Sequence, residues 1–196
     1  MKRSKDIGMR KSTIYIPIKN PFSSNFSEQS YIDILEIRED IIKESISDNL
    51  ELRKHIEKIS THNGVDYIND ASSTDIEASA KTLRKIKKPI IWIVNEVDLE
   101  VDYSVVSDLV NKKVKAIICI TKNNNNIFKV FGNNSVQLIV NVASIFEAVK
   151  IAFYLAHEGD VVLFSPVSER TGKEETLRER SALYNTTVQR LQTIAY

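Results

Sequence analysis

Apolar runs that alternate with segments of helical character constrain the fold of this chain more than any other feature. The runs are Ile90–Val94, Val114–Ile120 and Val161–Phe164. Strands that are apolar throughout are typical of parallel sheets covered on both faces. Shorter strands are predicted at Val65–Asn69 and Gln137–Val140. The alternation predicts an α/β fold with a Rossmann-like, mostly parallel sheet and helices on both faces.

Turn and capping residues mark the predicted boundaries of the helices. A capping box formed by Thr74 and Glu77 opens one helix, and Lys88-Pro89 ends it. A second capping box, Ser144 and Glu147, opens a helix that ends at Gly159. Further expectations are a turn at Asn63-Gly64, a short helix around Val105–Val110, a loop tip at Asn123–Asn126, and a long helix from about Gly172. Before them, a strand at Thr13–Ile18 and a helical stretch from Tyr31 to Ile46 are expected.

The composition indicates an ordinary globular protein. The 196 residues carry a formal net charge of +1, which gives no reason to expect a nucleic-acid partner. The single cysteine, Cys119, lies in an apolar run and is expected to be a buried core residue. No apolar run is long enough to span a bilayer and no secretory signal is recognisable, so a cytoplasmic location without membrane contact is expected.

Two phosphate-binding motifs are absent from the sequence. No Gly-x-Gly-x-x-Gly follows a strand, and no Gly-x-x-x-x-Gly-Lys-Ser/Thr is present, so the backbone cradle of a P-loop is missing from these residues. The histidines His55, His62 and His157 are scattered without metal-like spacing, and no metal site is predicted. Ligands of open α/β sheets bind at the carboxyl ends of the strands, so the residues that follow each strand are the candidates for a site.

Ordered motifs make the chain resemble the C-terminal domain of the Mur ligase family. Gly64-Val-Asp-Tyr-Ile-Asn-Asp-Ala-Ser-Ser-Thr74 is similar to the family's Gly-Val-x-Phe/Tyr-x-Asn-Asp-Ser-Lys-Ala-Thr. Gly159-Asp-Val-Val-Leu-Phe-Ser-Pro166 is similar to its Gly-Asp-x-Val-Leu-Leu-Ser-Pro, and Leu177-Arg-Glu-Arg180 to its Phe-x-x-Arg. Leu52–Ile59 resembles the family's Leu-Pro-His-Arg-x-Glu linker. The likeness is closest to the D-glutamate-adding branch, MurD. It predicts a C-terminal-like domain at 52–196, preceded at 1–51 by the end of the family's central domain.

The resemblance implies a set of ligand-binding residues but no catalytic residue. Mur ligases join an amino acid or peptide to a cell-wall precursor through an acyl phosphate made from ATP, and their central domain carries the P-loop. Asp70 corresponds to an aspartate that helps to hold the nucleotide. Thr74 corresponds to a threonine of the amino-acid site; its structural interpretation is a helix N-cap, and one residue can fill both roles. The other matched positions are Asp98, which could be a turn aspartate, Ser165, which could simply end the strand, and Arg180, which could be structural. Arg170 stands where the family has a second serine, and it is a further candidate for ligand binding.

Departures from the family pattern affect the amino-acid site. Ser72 and Leu99 stand where the family has lysines, and Asn95, Glu96 and Glu100 stand where it has glycines. Leucine cannot pair with a carboxylate, so a charge-assisted bond is lost. Arg170 or Lys173 could hold a different carboxylate. The amino-acid site of MurD is therefore not expected to be preserved.

Three hypotheses about function remain open from the sequence. The first is a MurD-like C-terminal domain, related to ATP-dependent amide-bond formation in peptidoglycan-precursor synthesis, that is inactive alone and binds a small carboxylate, an amino acid or a protein partner. The second is one component of a split ATP-dependent ligase, with ATP and Mg²⁺ held by a partner that supplies the P-loop. The third is an unrelated hydrolase or transferase that uses Asp70, Asp98 and Ser165. In the first, the chain itself has no cofactor.

Overall fold

A computed structural model describes residues 56–95, 97–121, 125–167 and 177–194. The predicted strand at Thr13–Ile18, the helical stretch from Tyr31 to Ile46 and the boundary between 51 and 52 lie outside the described residues. So do Arg170 and Lys173.

Within the described residues, six strands form one mixed sheet, in which all neighbours except one pair are parallel. The spatial order is β1-β2-β6-β3-β4-β5, and only the edge pair β1–β2 is antiparallel. The predicted α/β class with a mostly parallel sheet is confirmed. The strands are β1 Glu57–His62, β2 Val65–Asn69, β3 Ile90–Asn95, β4 Val114–Ile120, β5 Leu138–Val142 and β6 Val161–Phe164.

Five helices in the described part of the chain cover the two faces of this sheet. The buried residues of the first three belong to one apolar cluster and those of the last two to another. Helices on both faces were expected, because every parallel connection needs a crossover that packs back onto the sheet. The helices are α1 Ile76–Lys85, α2 Ser104–Lys113, α3 Asn126–Phe131, α4 Ile145–Leu155 and α5 Leu177–Ile194.

The central strand β3 is buried along its whole length. Its side chains alternate between the two clusters: Trp92 and Val94 face α1 and α2, whereas Ile91 and Ile93 face α4 and α5. Cys119 on β4 is also buried, as expected, and its thiol donates a hydrogen bond to the Asn95 carbonyl at 3.3 Å. Apolar burial on both faces therefore holds the strands that carry the site in register.

The Asn63-Gly64 turn is confirmed, and it joins a strand that the sequence did not predict. Both residues have positive φ angles, 48° and 73°, as a two-residue type I′ hairpin turn requires. Leu52–Ile59 resembles a linker of the family, and Glu57–Ile59 of that segment begin β1. The strand was missed because it is a half-exposed edge rich in Lys, Ser and Thr rather than an apolar run.

Two predicted helix ends need correction. Asp75, not Thr74, is the N-cap of α1, and its Oδ1 accepts a hydrogen bond from the Ala78 N–H at 2.7 Å. The capping box of Thr74 and Glu77 is therefore wrong. Helix α4 ends at Leu155, four residues before Gly159, which instead lies with φ +89° in the turn before β6.

Other boundaries were predicted more closely. Ser144 caps α4 as expected, and Glu147 reaches back to the Ala143 N–H at 2.8 Å. The first helix ends at Lys85, before Lys88-Pro89. Helix α3 was not predicted, and its first residue, Asn126, had been assigned to a loop tip.

A charged cluster on β2 makes the stability of the domain depend on pH. Lys58 and Lys88 each contact a different carboxylate oxygen of Asp66 at 2.7 Å. These hydrogen bonds hold the pKa of Asp66 well below its ordinary value, against an opposing effect of burial. Because the folded-state pKa is depressed, the stabilisation is complete above the unfolded-state pKa of about 4 and is lost as the pH falls toward the folded-state value.

We expect Asp66→Asn to lower the free energy of unfolding by about 1 kcal/mol at pH 7, since the lysines are half-exposed. The difference from the wild type should shrink between pH 5 and pH 2.5 (roughly the range set by the carboxylate's titration). Urea unfolding at a series of pH values measures both curves. A difference that stays constant down to the acid end would contradict the assignment.

Candidate ligand site

The carboxyl ends of β2, β6 and β3 form the part of the sheet edge where a ligand crevice is expected. The chain leaves β2 and β3 toward α1 and α2, whereas it leaves the intervening strand β6 toward the face of α4 and α5. Such a reversal of direction between neighbouring strands is a topological switch point. A crevice is therefore expected on each side of the end of β6.

A buried hydrogen-bonded cluster joins the ends of β2 and β6. The Asp70 carboxylate accepts from Ser73 Oγ at 2.6 Å and from Ser165 Oγ at 3.3 Å, both through Oδ2. Ser165 Oγ also shares a hydrogen bond of 2.8 Å with Ser79 Oγ on α1. All four side chains are buried. The structure therefore brings together two predicted site residues, Asp70 and Ser165, and adds two serines that the sequence reasoning did not select.

Backbone hydrogen bonds fasten the loops that carry this cluster. Asp70 N–H donates to the Phe164 carbonyl at 2.8 Å, and Val167 N–H donates to the Ser73 carbonyl at 3.1 Å. Val167 is buried and has a φ of +60°. A left-handed conformation is unfavourable by about 1–3 kcal/mol for a β-branched residue, and such strain is concentrated at functional sites.

Trp92 connects the core to this edge. Its indole Nε1–H donates to the Ser165 carbonyl at 3.1 Å, and its ring contacts Phe131 edge-on at 5.9 Å. The indole is fully buried, so its N–H needs an acceptor within the protein. A core side chain thereby fixes the backbone of a candidate site residue.

Asn95, at the end of β3, is a polar residue that the sequence analysis recorded only as a lost glycine. It is 2% exposed, and its Nδ2 atom has no hydrogen-bond partner among the described residues. Its N–H donates to the Pro166 carbonyl at 3.0 Å, which places it against the segment after β6. By strand alternation its side chain belongs to the face of Ile91 and Ile93, the face covered by α4 and α5.

Arg180 lies in the first described turn of α5, on that same face. It lies one helical turn before Tyr184. The ring of Tyr184 stacks on the ring of Phe164 in β6, with 5.2 Å between their centroids. Arg180 is 2% exposed, so a cationic group is enclosed above the end of β6.

Burial also raises the pKa of Tyr184 well above its ordinary value, which leaves its hydroxyl neutral as a donor to the Val162 carbonyl at 3.2 Å.

Asp98 lies in the loop after β3 and shapes that loop. Its Oδ1 accepts from the Glu100 N–H at 3.1 Å, and its own N–H donates to the Tyr103 hydroxyl at 3.2 Å. Asn126 donates to the Val97 carbonyl at 3.1 Å and holds the loop from the other side. These bonds fit the turn interpretation of Asp98, which leaves its role toward a ligand a prediction.

The remaining predicted residues are placed less centrally. Thr74 follows the Asp70–Ser73 turn and is half-buried, immediately before the N-cap of α1. Arg170 lies outside the described residues, so its assignment stays a prediction. The edge therefore assembles Asp70 and Ser165 directly, with Thr74 and Asp98 on the adjoining loops.

The charge of the described edge is one-sided. Its loops at 70–75, 97–103 and 165–167 contain no lysine or arginine, but they contain the acids Asp70, Asp75, Asp98, Glu100 and Asp102. Within the described ranges, no group of three or more histidine, cysteine, aspartate or glutamate side chains could hold a metal ion. These loops do not fit a triphosphate, which needs cationic or backbone donors around its oxygens.

Comparison with known proteins gives this edge a context. The chain is 34% identical over 173 residues to the UDP-N-acetylmuramoylalanine–D-glutamate ligase of Christiangramia forsetii. The matched residues are 88% of this chain and 38% of that enzyme. The enzyme of the same name from Caldicellulosiruptor saccharolyticus is 28% identical over 183 residues, 93% of this chain and 40% of its own length. The chain belongs to the Mur ligase family.

This chain corresponds to the C-terminal domain of the Mur ligases. That assignment fits the partial coverage of each relative. The chain spans about 40% of the length of these relatives. This membership makes the hypothesis of an unrelated hydrolase or transferase wrong. No family model matches the chain.

Solved structures add little to this assignment. MurF ligase from Thermotoga maritima in complex with ADP superposes with a TM-score of 0.44 at 13% identity, over 74% of this chain and 33% of that one. E. coli FolC in complex with ADP gives a TM-score of 0.48 at 13% identity, with the same coverage. Because these scores are low, the assignment rests on the sequence relatives. Among the described helices, none combines the length and the apolar character needed to cross a bilayer.

Proposed function

We propose that this chain acts as the ligand-binding C-terminal domain of a MurD-like system for peptidoglycan-precursor synthesis in the cytoplasm, and that it does not turn over ATP by itself. The observation that carries the proposal is the Asp70–Ser165 cluster, located at the switch point of a chain homologous to ATP-dependent ligases. The 196 residues contain no P-loop, so another segment or polypeptide would have to hold the phosphates.

In this proposal the ligand lies against the carboxyl edge, between the loops of β2, β3 and β6. Asp70 and Ser165 form its floor, and Thr74 and Asp98 border it. Arg180 supplies a buried positive charge on the opposite face of the sheet. Arg170 is the remaining candidate from the sequence.

Two features favour binding over catalysis in the chain alone. Ser72 and Leu99 replace the lysines of the family pattern, and the described edge loops bring no other cation. In addition, the Asp70 carboxylate already accepts two hydrogen bonds from serines of its own domain. A carboxylate fixed in this way orders the loops of a site.

The alternative proposal is a split ligase, in which a separate polypeptide with a P-loop completes the enzyme. It is favoured by the retained residue types at Asp70, Thr74, Asp98 and Arg180, which match the family motifs at the same relative positions. Both proposals assign ligand binding to the same edge. They differ in whether amide-bond formation appears when the missing part is supplied.

The test compares the purified chain with a mixture of the chain and the region of the Christiangramia forsetii relative that this chain does not match. ATP turnover is measured as ADP release with Mg²⁺, the UDP-sugar precursor and a panel of amino acids. We expect no ADP release by the chain alone, and none from the mixture above that of the added region. ADP release by the chain alone would contradict both proposals. Amide product that forms only in the mixture, and is lost with Asp70→Ala, would establish the split ligase instead.

A further inference from the structure

Cations are concentrated at the amino edge of the sheet, opposite the candidate ligand site. Helices α1 and α2 end at this edge, shortly before β3 and β4 begin. Two carboxylates near it are already paired, since Asp66 contacts Lys88 and Asp160 contacts Lys115, each at 2.7 Å. The basic cluster of this edge consists of Arg84, Lys85, Lys87, Lys88, Lys112, Lys113 and Lys115.

The ends of α1 and α2 are in direct contact within this cluster. Lys113 Nζ donates to the Leu83 carbonyl at 2.9 Å and to the Ile86 carbonyl at 2.8 Å. It also donates to the Arg84 carbonyl at 3.3 Å. Burial and the neighbouring charge of Lys87 lower the pKa of Lys113. The basic cluster is therefore one continuous surface rather than two separate helix ends.

Four members of the cluster are exposed cations, namely Arg84, Lys85, Lys87 and Lys112. Within the part of the chain that the structure describes, none of these four side chains has an ion-pair or hydrogen-bond partner. Capping of α1 does not account for them, because Lys113 already contacts the carbonyls at the end of that helix. Like charges gathered in this way repel one another and attract an anionic partner.

An extended anionic partner fits this surface better than a single phosphate does. Two helices end at the cluster, and helix carboxyl termini offer carbonyl groups rather than the N–H donors that bind a phosphate. Cations spread over two helix ends can instead each contact a different carboxylate of one segment. A polypeptide with several acids on one face has this chemistry.

The sequence contains such a segment at residues 28–51, outside the described residues. It carries eight acids and two bases, which gives it a net charge of −6. Acids recur at intervals of three or four residues within the helical stretch predicted from Tyr31 to Ile46, an interval that places them on one face of a helix. They are Asp33, Glu36, Asp40 and Glu44.

The chain between this segment and the domain is long enough for the contact. Strand β1 begins at Glu57, which pairs with Asn69 at the carboxyl end of β2. The basic cluster lies about 25 Å away, as judged from the length of one strand, three inter-strand spacings and the thickness of the helix layer. Residues 52–55 in extended form and ten residues of helix would span about 30 Å.

We propose that the basic cluster is the docking surface for the acidic face of segment 28–51 of the same chain, whose carboxylates contact Arg84, Lys87 and Lys112. Individual surface ion pairs are weak, but the segment is tethered to the domain, so several of them act together at a high effective concentration. The contact lies at the edge opposite the candidate ligand site. The inference therefore does not depend on the proposed function.

The test attaches nitroxide spin labels to single introduced cysteines of the full ¹⁵N-labelled chain, whose own Cys119 is buried. A label at Gln137→Cys lies beside the cluster, because the exposed Gln137 donates its N–H to the Lys115 carbonyl at 3.0 Å. We expect it to reduce the amide signal intensities of residues 33–44 at low salt. At about 1 M salt, where the Debye length is roughly 3 Å, the loss should disappear. A label at Glu77→Cys, exposed in the first turn of α1, should leave those signals unchanged.

Charge reversal identifies the residues that make the contact. Lys87→Glu combined with Lys112→Glu should abolish the intensity loss caused by the Gln137→Cys label. Adding Asp40→Lys and Glu44→Lys to that variant should restore the loss, because the charges of the two surfaces are then exchanged. The amide shifts of the described strands report whether each variant remains folded.

Arg178→Glu combined with Arg190→Glu is the matched control. Both residues are exposed on α5, which packs on the other face of the sheet, so the net charge changes equally away from the cluster. Equal intensity losses from the two labels, no loss from the Gln137→Cys label, or a loss abolished equally by both charge reversals would overturn the inference. So would the same loss in a mixture of spin-labelled ¹⁴N chains and unlabelled ¹⁵N chains, which would assign the contact to a second copy.

Discussion

Replacing Asp70 by alanine is expected to lower the free energy of unfolding by about 3 kcal/mol. The change removes a charged acceptor from Ser73 and Ser165, and both hydroxyls are buried where water does not readily replace it. Hydrogen bonds to charged groups contribute roughly 1.5–3 kcal/mol each, and the loss of two is only partly relieved by rearrangement. Urea unfolding followed by the fluorescence of Trp92, the single tryptophan of the chain, measures the effect.

Two further variants show whether the effect belongs to the buried cluster. Asp70→Asn keeps an acceptor of the same shape, so it should lose only about half as much stability. Asp98→Ala removes a half-buried turn aspartate and should lose about 1 kcal/mol or less. If Asp70→Ala were no more destabilising than Asp98→Ala, the cluster would not hold the loops together.

Replacing Trp92 by alanine is expected to lower the free energy of unfolding by about 4 kcal/mol, the largest effect of any single change considered. The indole is fully buried among the residues that α1, α2 and α3 contribute, and its removal leaves a cavity in the centre of the sheet face. Because the tryptophan fluorescence is lost with the side chain, circular dichroism during urea unfolding is the appropriate measurement.

Trp92→Phe separates packing from hydrogen bonding. Phenylalanine retains an aromatic ring against Phe131 but leaves the Ser165 carbonyl without the indole donor. We expect a loss of about 1–2 kcal/mol, much smaller than that of the alanine variant. Equal losses in the two variants would mean that the cavity contributes little, contrary to the packing described for this strand.

The sheet was predictable because each of its central strands is a short, continuous apolar run. Ile90–Asn95 and Val114–Ile120 are apolar on both faces, which only a covered parallel strand satisfies. The edge strand β1 lacks that signal, because it is exposed on one side and its residues suit a loop equally well. Its position depends on pairing with β2 through the Asn63-Gly64 turn.

Local capping chemistry was predicted less reliably, because neighbouring residues compete for the same role. Thr74 and Asp75 are both good N-caps, and the sequence motif with Glu77 favoured the threonine. The backbone bond from Val167 to Ser73 and the turn at Asp70 displace the helix start by one residue. That choice depends on a loop ninety residues away along the chain, which a local pattern does not contain.

The candidate site was predictable only where the order of the strands determines which residues meet. Asp70 and Ser165 follow strands that a parallel sheet must bring to one edge, so their proximity was inferable from topology. Ser79 lies within a helix and Asn95 at the end of an apolar run, and nothing in their local sequence distinguishes them. The position of Asn95 at a lost family glycine was the only available signal.

The most direct test of the central claim, that the carboxyl edge around β6 is the ligand site of this domain, is the map of amide shifts in an NMR titration of the full ¹⁵N-labelled chain with the panel of amino acids used in the ADP-release test. We expect the perturbed amides to cluster in 70–74, 97–101 and 165–167, around the ends of β2, β3 and β6. Perturbations concentrated at the opposite edge, around Asp66, Lys115 and Asp160, or none at saturating ligand, would contradict it.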